Sequence, residues 1–271
     1  MRYPAVAGQF YSSDPEKLRK QIENCYMSPI GPGELPVLKE GPRSIVGAVS
    51  PHAGFVYSGP VAAHVFLALA KDGFPKTFIV IGPNHSGMGS MVSVTTEDFS
   101  MPTGVVQVDT EIAGSICRGM ISEDNTAHRF EHSLEVQLPF IQQISSDVRI
   151  VPVCMGMQDF DTAKEVGEII GEETQGKDVV IIASTDFSHY VPQDTATKMD
   201  RMAIDKILEL DPKGLSEVVS KKRISMCGYG PVMAMLFAGQ GSKSELLKYS
   251  TSGEVSPMRE VVGYAGMIVR K

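Results

Sequence analysis

The feature that most limits what this chain can fold into is the alternation of short apolar runs with stretches of helical period. Ile45–Val49, Thr77–Ile81 and Val179–Ala183 are short, free of charge and rich in β-branched residues. Runs of that kind are strands buried on both faces. Helical patterns lie between them. Asp14 precedes Pro15, with Leu18 and Ile22 spaced for an apolar stripe, and Pro60 and Gly73 bracket a second helix, as a first-turn proline and a terminal glycine do. Further helices are expected over 161–173, 195–210 and 212–222, and in the apolar run that follows "CGYGP". "EHSLEVQLPFIQQI" reads as an amphipathic helix with a proline inside it. "MVSVTT", "VRIVPVCMG", "ELLKYSTS" and "VVGYAGMIVR" read as strands, the last two as candidates for an antiparallel pair. The alternation predicts an α/β fold, one domain over residues 1–271, with a central mostly parallel or mixed sheet flanked by helices on both faces.

Composition narrows the function. The 271 residues are 42% hydrophobic, enough for one sizeable core. The formal charge is −7 and no run of Lys or Arg occurs, so the clustered cations of a nucleic-acid surface are missing. No apolar stretch reaches the roughly 20 residues that span a bilayer, and "MRYPAVAGQFYSSDPEKL" lacks the apolar core of a signal peptide. The expected compartment is the cytoplasm, with no membrane partner. Cys25, Cys117, Cys154 and Cys227 are scattered and form no C-x-x-C pair, which argues against a disulfide scaffold or a zinc ribbon.

Three of the six histidines share one context. His52 follows Ile45–Val49, His85 follows Thr77–Ile81, and His189 follows Val179–Ala183 with Asp186 in between. Ligands of open α/β sheets bind outside the carboxyl ends of the strands. Parallel, adjacent strands would therefore bring three imidazoles and Asp186 into one crevice. Imidazole is both the commonest metal ligand and the usual general base near neutral pH, so a metal site, an acid/base site or both are open. Cys227 stands just ahead of an apolar helix with Pro231 in its first turn. A helix start favours the thiolate, the form that binds metal. Two His and one Cys suit Zn, Fe or Cu better than Mg or Ca.

Other residues have plainer readings. A histidine after a strand is often a turn residue, and Asp186 could begin an Asx-turn. His64 lies in an apolar helix and reads as a satisfied helix residue; Cys117 and Cys154 lie in apolar runs and read as core. His132 is placed at a helix start bordering the pocket, as a candidate substrate contact. "GPNHSG" has no lysine and the wrong glycine spacing for a P-loop, and no G-x-S-x-G elbow occurs.

The segments "RYPAVAGQFY", "SPHAGFVYSGPVAAHVF", "IGPNHSG", "EHSLEVQLPFIQ", "STDFSHY" and "CGYGP" run through nearly the whole chain. Together they resemble the Memo-like family, named for a mediator of cell motility, which is similar in fold to class III extradiol ring-cleavage dioxygenases. In those enzymes two histidines and a glutamate hold Fe(II), and another histidine acts as acid and base. The resemblance implies that His52 and His85 are metal ligands, that His189 is the acid/base residue with Asp186 beside it, and that Cys227 stands where the dioxygenases place a carboxylate. A thiolate donates more charge than a carboxylate and can itself be oxidised, so ring cleavage does not carry over with the fold. The implied function is a metal-binding protein with iron or copper, or zinc as a further candidate, acting as an oxidoreductase on an unknown substrate. The alternatives are a non-catalytic protein that binds a small molecule or peptide on a dioxygenase-like scaffold, and a zinc-assisted hydrolase.

Overall fold

The computed structural model describes residues 1–239 and 241–271. Its elements follow the alternation closely. Helix α1 (Pro15–Met27) starts where the Asp14 side chain accepts from the Lys17 N–H, at 2.9 Å. Strand β1 (Ile45–Ser50), helix α2 (Gly59–Asp72) and strand β2 (Thr77–Pro83) come next. Short pieces follow: β3 (Val92–Val94), a hairpin of β4 (Phe99–Met101) and β5 (Gly104–Val106), α3 (Thr110–Ile116), β6 (Ile121–Glu123) and α4 (Asn125–His128). Helix α5 (Leu138–Ile144), strand β7 (Arg149–Met155), helix α6 (Phe160–Glu173) and strand β8 (Val179–Ser184) restore the longer rhythm. The chain closes with β9 (His189–Val191), α7 (Gln193–Leu208), α8 (Pro212–Lys222), α9 (Tyr229–Phe237), β10 (Lys243–Thr251), α10 (Ser252–Val255) and β11 (Val261–Arg270).

Among the described residues the main sheet runs β10-β11-β1-β8-β2-β7-β3-β6, with β9 paired to β11. Its centre is parallel: β1 with β8, β8 with β2, and β2 with β7. The pairs β10–β11, β11–β1 and β3–β7 are antiparallel, so the sheet is mixed. β1, β2 and β8 are buried at every position, as their unbroken apolar runs require. Gly47 of β1 faces Met235 of α9, and Gly266 of β11 faces Val61 and Val65 of α2. Helices α1, α2 and α5 pack as one group and α6, α8 and α9 as another, which makes the expected single α/β domain with its sheet between helical layers.

Two expectations are corrected. "EHSLEVQLPFIQQI" is not helical from Glu131. A 3-10 turn over Glu135–Gln137 leads into α5, which begins at Leu138 with Pro139 in its first turn. Proline lacks the N–H that an interior position would need and suits a first turn. Cys154 is buried, but Cys117 is exposed, because it caps the end of α3 rather than lying on its inner face.

The non-helical stretch anchors the N-terminus. The Arg2 guanidinium and the Tyr11 hydroxyl both bond to the Glu135 carboxylate, and the backbone N–H groups of Ala5 and Val6 donate to it at 2.7 and 3.2 Å. Arg2 also donates to the carbonyls of His128 and Glu131. Both charges are buried, at 2% and 0% side-chain exposure, so neither can fall back on water. Glu135→Ala is expected to destabilise the protein by about 3–5 kcal/mol, the usual result of leaving a buried charge without its partner. Urea unfolding measures this; a loss below about 1 kcal/mol would mean that solvent reaches Arg2.

Candidate functional site

The three parallel strands end level with one another. Ser50 of β1 pairs with Ser184 of β8, and Ile81 of β2 with Ala183. The chain leaving each strand turns over the same edge. The Thr185 N–H donates to the Ser50 carbonyl at 2.9 Å, and the His52 N–H to Asp186 Oδ1 at 2.8 Å. Gly82 in β2, having no side chain, lets the Ser133 segment pack against that strand: a Cβ there would lie 2.4 Å from Ser133 Oγ.

His52, His85 and His132 each offer a ring nitrogen, and these three nitrogens lie within 4.8 Å of one another. The rings of His85 and His132 stack at 4.5 Å, and Phe10 meets His132 edge-on at 4.9 Å. His52 is buried; His85 and His132 are partly open to the cavity. Hydrogen bonding assigns the tautomer of His52. Gln137 Nε2 donates to the Pro51 carbonyl and to Ser184 Oγ, both at 2.9 Å. The single Ser184 proton goes to the Ser133 carbonyl, at 2.7 Å. Ser184 Oγ can then only accept from His52 Nδ1, 2.9 Å away. His52 Nε2 is left with a lone pair. For His85 the Nδ1–H meets Glu131 Oε1 at 2.9 Å, again freeing Nε2. A carboxylate behind a histidine is a common support for a metal ligand.

Electrostatics keep these groups available. Burial first, then the neighbouring His85, His132 and His189, hold the His52 imidazolium well below the usual histidine range. Burial also lowers His132, against the opposing pull of Glu131. Burial by itself would raise Glu131, but the His85 hydrogen bond and charge, the Ser133 N–H and His132 outweigh it, and its carboxyl falls to about 2. Neutral imidazoles are the ligand form. The donors therefore fit a transition metal.

Cys227 Sγ lies 3.2 Å from His52 Nε2 and accepts from the Asp186 N–H, also at 3.2 Å. Its loop is held by Gln158, which donates to the Cys227 carbonyl and accepts from the Gly230 N–H, and by Thr185, which accepts from the Gly228 N–H. Burial, then the Asp186 charge, raise the thiol above its ordinary range, so the start of α9 does not make a thiolate here. Asp186 is itself raised to about 6, mainly by burial, against the hydrogen bond from the His52 N–H. His189 is oriented by Ser225 rather than by Asp186: its Nδ1 bonds the Ser225 carbonyl and its backbone N–H the Ser225 hydroxyl, each at 2.7 Å. Its Nε2 is thereby an acceptor.

His52, His85, His132, Asp186 and His189 all line one cavity of about 460 Å3, walled by Phe10, Tyr57, Tyr190, Val262 and Tyr264 among others. His64 lies elsewhere, its ring bonded to the Ile30 carbonyl at 2.9 Å. Sequence reasoning missed Glu131, Gln137, Ser184 and Ser225 as supports. The only signal for them was position: Ser184 ends an apolar strand, and Glu131 precedes a histidine. Among the described residues no helix is long and apolar enough to cross a membrane.

Comparison with known proteins agrees with this architecture. A MEMO1 family protein of Methanopyrus kandleri is 49% identical over all of this chain and 99% of its own length. One from Methanothermobacter thermautotrophicus is 47% identical over 98% of this chain and 99% of its own. In fold, the chain is similar to the crystal structure of an uncharacterized protein from Escherichia coli K12, with a TM-score of 0.53 and 13% identity over 83% of this chain and 99% of that one. The Memo-like protein family matches over residues 2–268, and the chain belongs to that family.

Proposed function

We propose that the protein holds a redox-active transition metal, iron or copper, at its imidazole cluster and acts as an oxidoreductase on a small molecule. The observation that supports this most is the convergence of the His52, His85 and His132 nitrogens within 4.8 Å, with the Nδ1 atoms of His52 and His85 already engaged behind them. His52 and His85 are the proposed ligand pair and Cys227 the third donor; His132 is a further nitrogen at the substrate side. Imidazole with sulfur suits iron, copper or zinc, and sulfur favours the first two as redox centres. When bound, the metal supplies a Lewis-acidic, redox-active centre. The chain supplies the rest. His189 Nε2 accepts a proton from the substrate while Ser225 holds the ring. Asp186 fixes the His52 backbone.

Elemental analysis of anaerobically prepared protein tests the ligand set. About one equivalent of metal is expected in the wild type, little in His52→Ala and His85→Ala, and a weaker hold in Cys227→Ser. His189→Ala should keep the metal and lose turnover. Equal metal in the wild type, His52→Ala and Cys227→Ser would overturn the ligand set. Activity retained with zinc and without dioxygen would instead indicate metal-assisted hydrolysis.

Glu131 gives a pH signature. Its carboxyl is held at about 2 against an ordinary value of 4.5. A depressed carboxyl stabilises the fold above its ordinary value, and that stability is lost as pH falls through the folded value. At pH 7 Glu131→Gln should therefore be less stable than the wild type by on the order of 3 kcal/mol. The difference should shrink between about pH 4.5 and pH 2. Denaturant unfolding across that range checks it; a gap independent of pH would show that the carboxylate charge contributes nothing.

A further inference from the structure

The cavity over the imidazoles has a mouth unlike its floor. Tyr57, Tyr190, Tyr264 and Glu260 line it together with the histidines; Tyr57, Tyr190 and Glu260 reach the surface, Tyr264 is buried beneath, and no lysine or arginine is among the lining residues described. The backbone N–H group of His52 bonds Asp186. An anionic ligand would therefore find neither a cationic side chain among the described lining residues nor this N–H group to hold it. Tyr190 is 73% exposed, and its backbone sits at φ 54°, a conformation that costs a bulky side chain energy. Such strain persists where the surrounding fold enforces it, often at ligand sites. Here it places an aromatic ring at the rim, 6.1 Å from the His189 ring.

We propose that the ligand of this cavity is a small organic cation, its ammonium group held among the Tyr57, Tyr190 and Tyr264 rings and the Glu260 carboxylate, with its reacting end toward the imidazoles. Aromatic faces attract an ammonium through the ring quadrupole, more strongly where water is displaced. The carboxylate adds direct attraction, and the chain's formal charge of −7 favours a cation at longer range. A cavity of about 460 Å3 is of small-molecule size. This names the substrate class for the reading above and rests on it only for the reacting end, since none of these four lining residues is a proposed metal ligand.

Three probes of nearly one shape test the proposal: choline, its uncharged carbon isostere dimethylbutanol, and the anion dimethylbutanoate. The quaternary nitrogen of choline has no lone pair, so binding through it cannot be metal ligation. Binding is followed by NMR shift changes on full-length protein, with and without added metal, and metal content is measured on the same samples. Choline should bind about tenfold more tightly than dimethylbutanol, with dimethylbutanoate weakest. Glu260→Gln and Tyr190→Ala should each reduce the preference for choline over dimethylbutanol by about threefold or more, with metal content unchanged. Equal binding of choline and dimethylbutanol, preference for the anion, or no shift at about 50 mM choline would overturn it. Charge preference in protein that binds no metal would leave this proposal standing while the metal reading falls; metal binding without charge preference would do the reverse.

Discussion

The single proton on Ser184 controls the chemistry of the site. A hydroxyl has one hydrogen to give, and the Ser133 carbonyl takes it. Gln137 supplies one donor to the same oxygen, and the remaining bond must come from His52 Nδ1. The imidazole therefore presents an electron pair at Nε2, beside the Cys227 sulfur. Had Ser184 been free to donate to His52, Nε2 would carry the hydrogen and could not ligate. The tautomer thus follows from hydrogen-bond arithmetic around a buried residue that is not among those lining the imidazole cavity.

All of that arithmetic passes through seven consecutive residues, Glu131–Gln137. Glu131 sits behind His85, His132 joins the cluster, and Ser133 bonds the Pro83 carbonyl and receives the Ser184 proton. Glu135 secures the N-terminal segment, and Gln137 spans β1 and β8 through Pro51 and Ser184. The segment cannot be a regular helix and do this, because its side chains must reach in several directions within two turns' length. The N-terminal arm belongs to the same unit. Arg2 holds the carbonyl of Glu131 and the carboxylate of Glu135, so a residue distant in sequence helps to set the position of His85.

How much of this was legible in the residues differs by scale. β1, β2 and β8 stand out because burial on both faces removes polar positions, and the histidines after them stand out because polar residues follow at once. Placing His52, His85 and His189 at one sheet edge needed only parallel order. The supports were not legible: Ser184, Gln137 and Ser225 act on partners far along the chain, and nothing local marks a serine as an acceptor. The three-residue strands β4, β6 and β9 are too short for a period to register. The helix over 131–144 was overdrawn because its apolar spacing is helical, while hydrogen bonding takes its first residues elsewhere.

Charge balance ties the site together. Asp186 and Glu131 are both nearly without exposure, at 4% and 1%, and their nearest basic neighbours are imidazoles. His52 and His132 are pushed toward neutrality by burial. Arg2, the buried guanidinium nearby, is paired with Glu135. Asp186 lines the cavity, Glu131 lies behind His85, and no lysine or arginine is among the described lining residues; negative charge in a low-dielectric place is costly unless compensated. Asp186 responds by rising to about 6, while Glu131 relies on its hydrogen bonds. A metal cation on the imidazoles would compensate the floor, and an ammonium beside Glu260 the mouth. Each cation would then answer a different carboxylate, Glu131 behind His85 or Glu260 on the cavity wall.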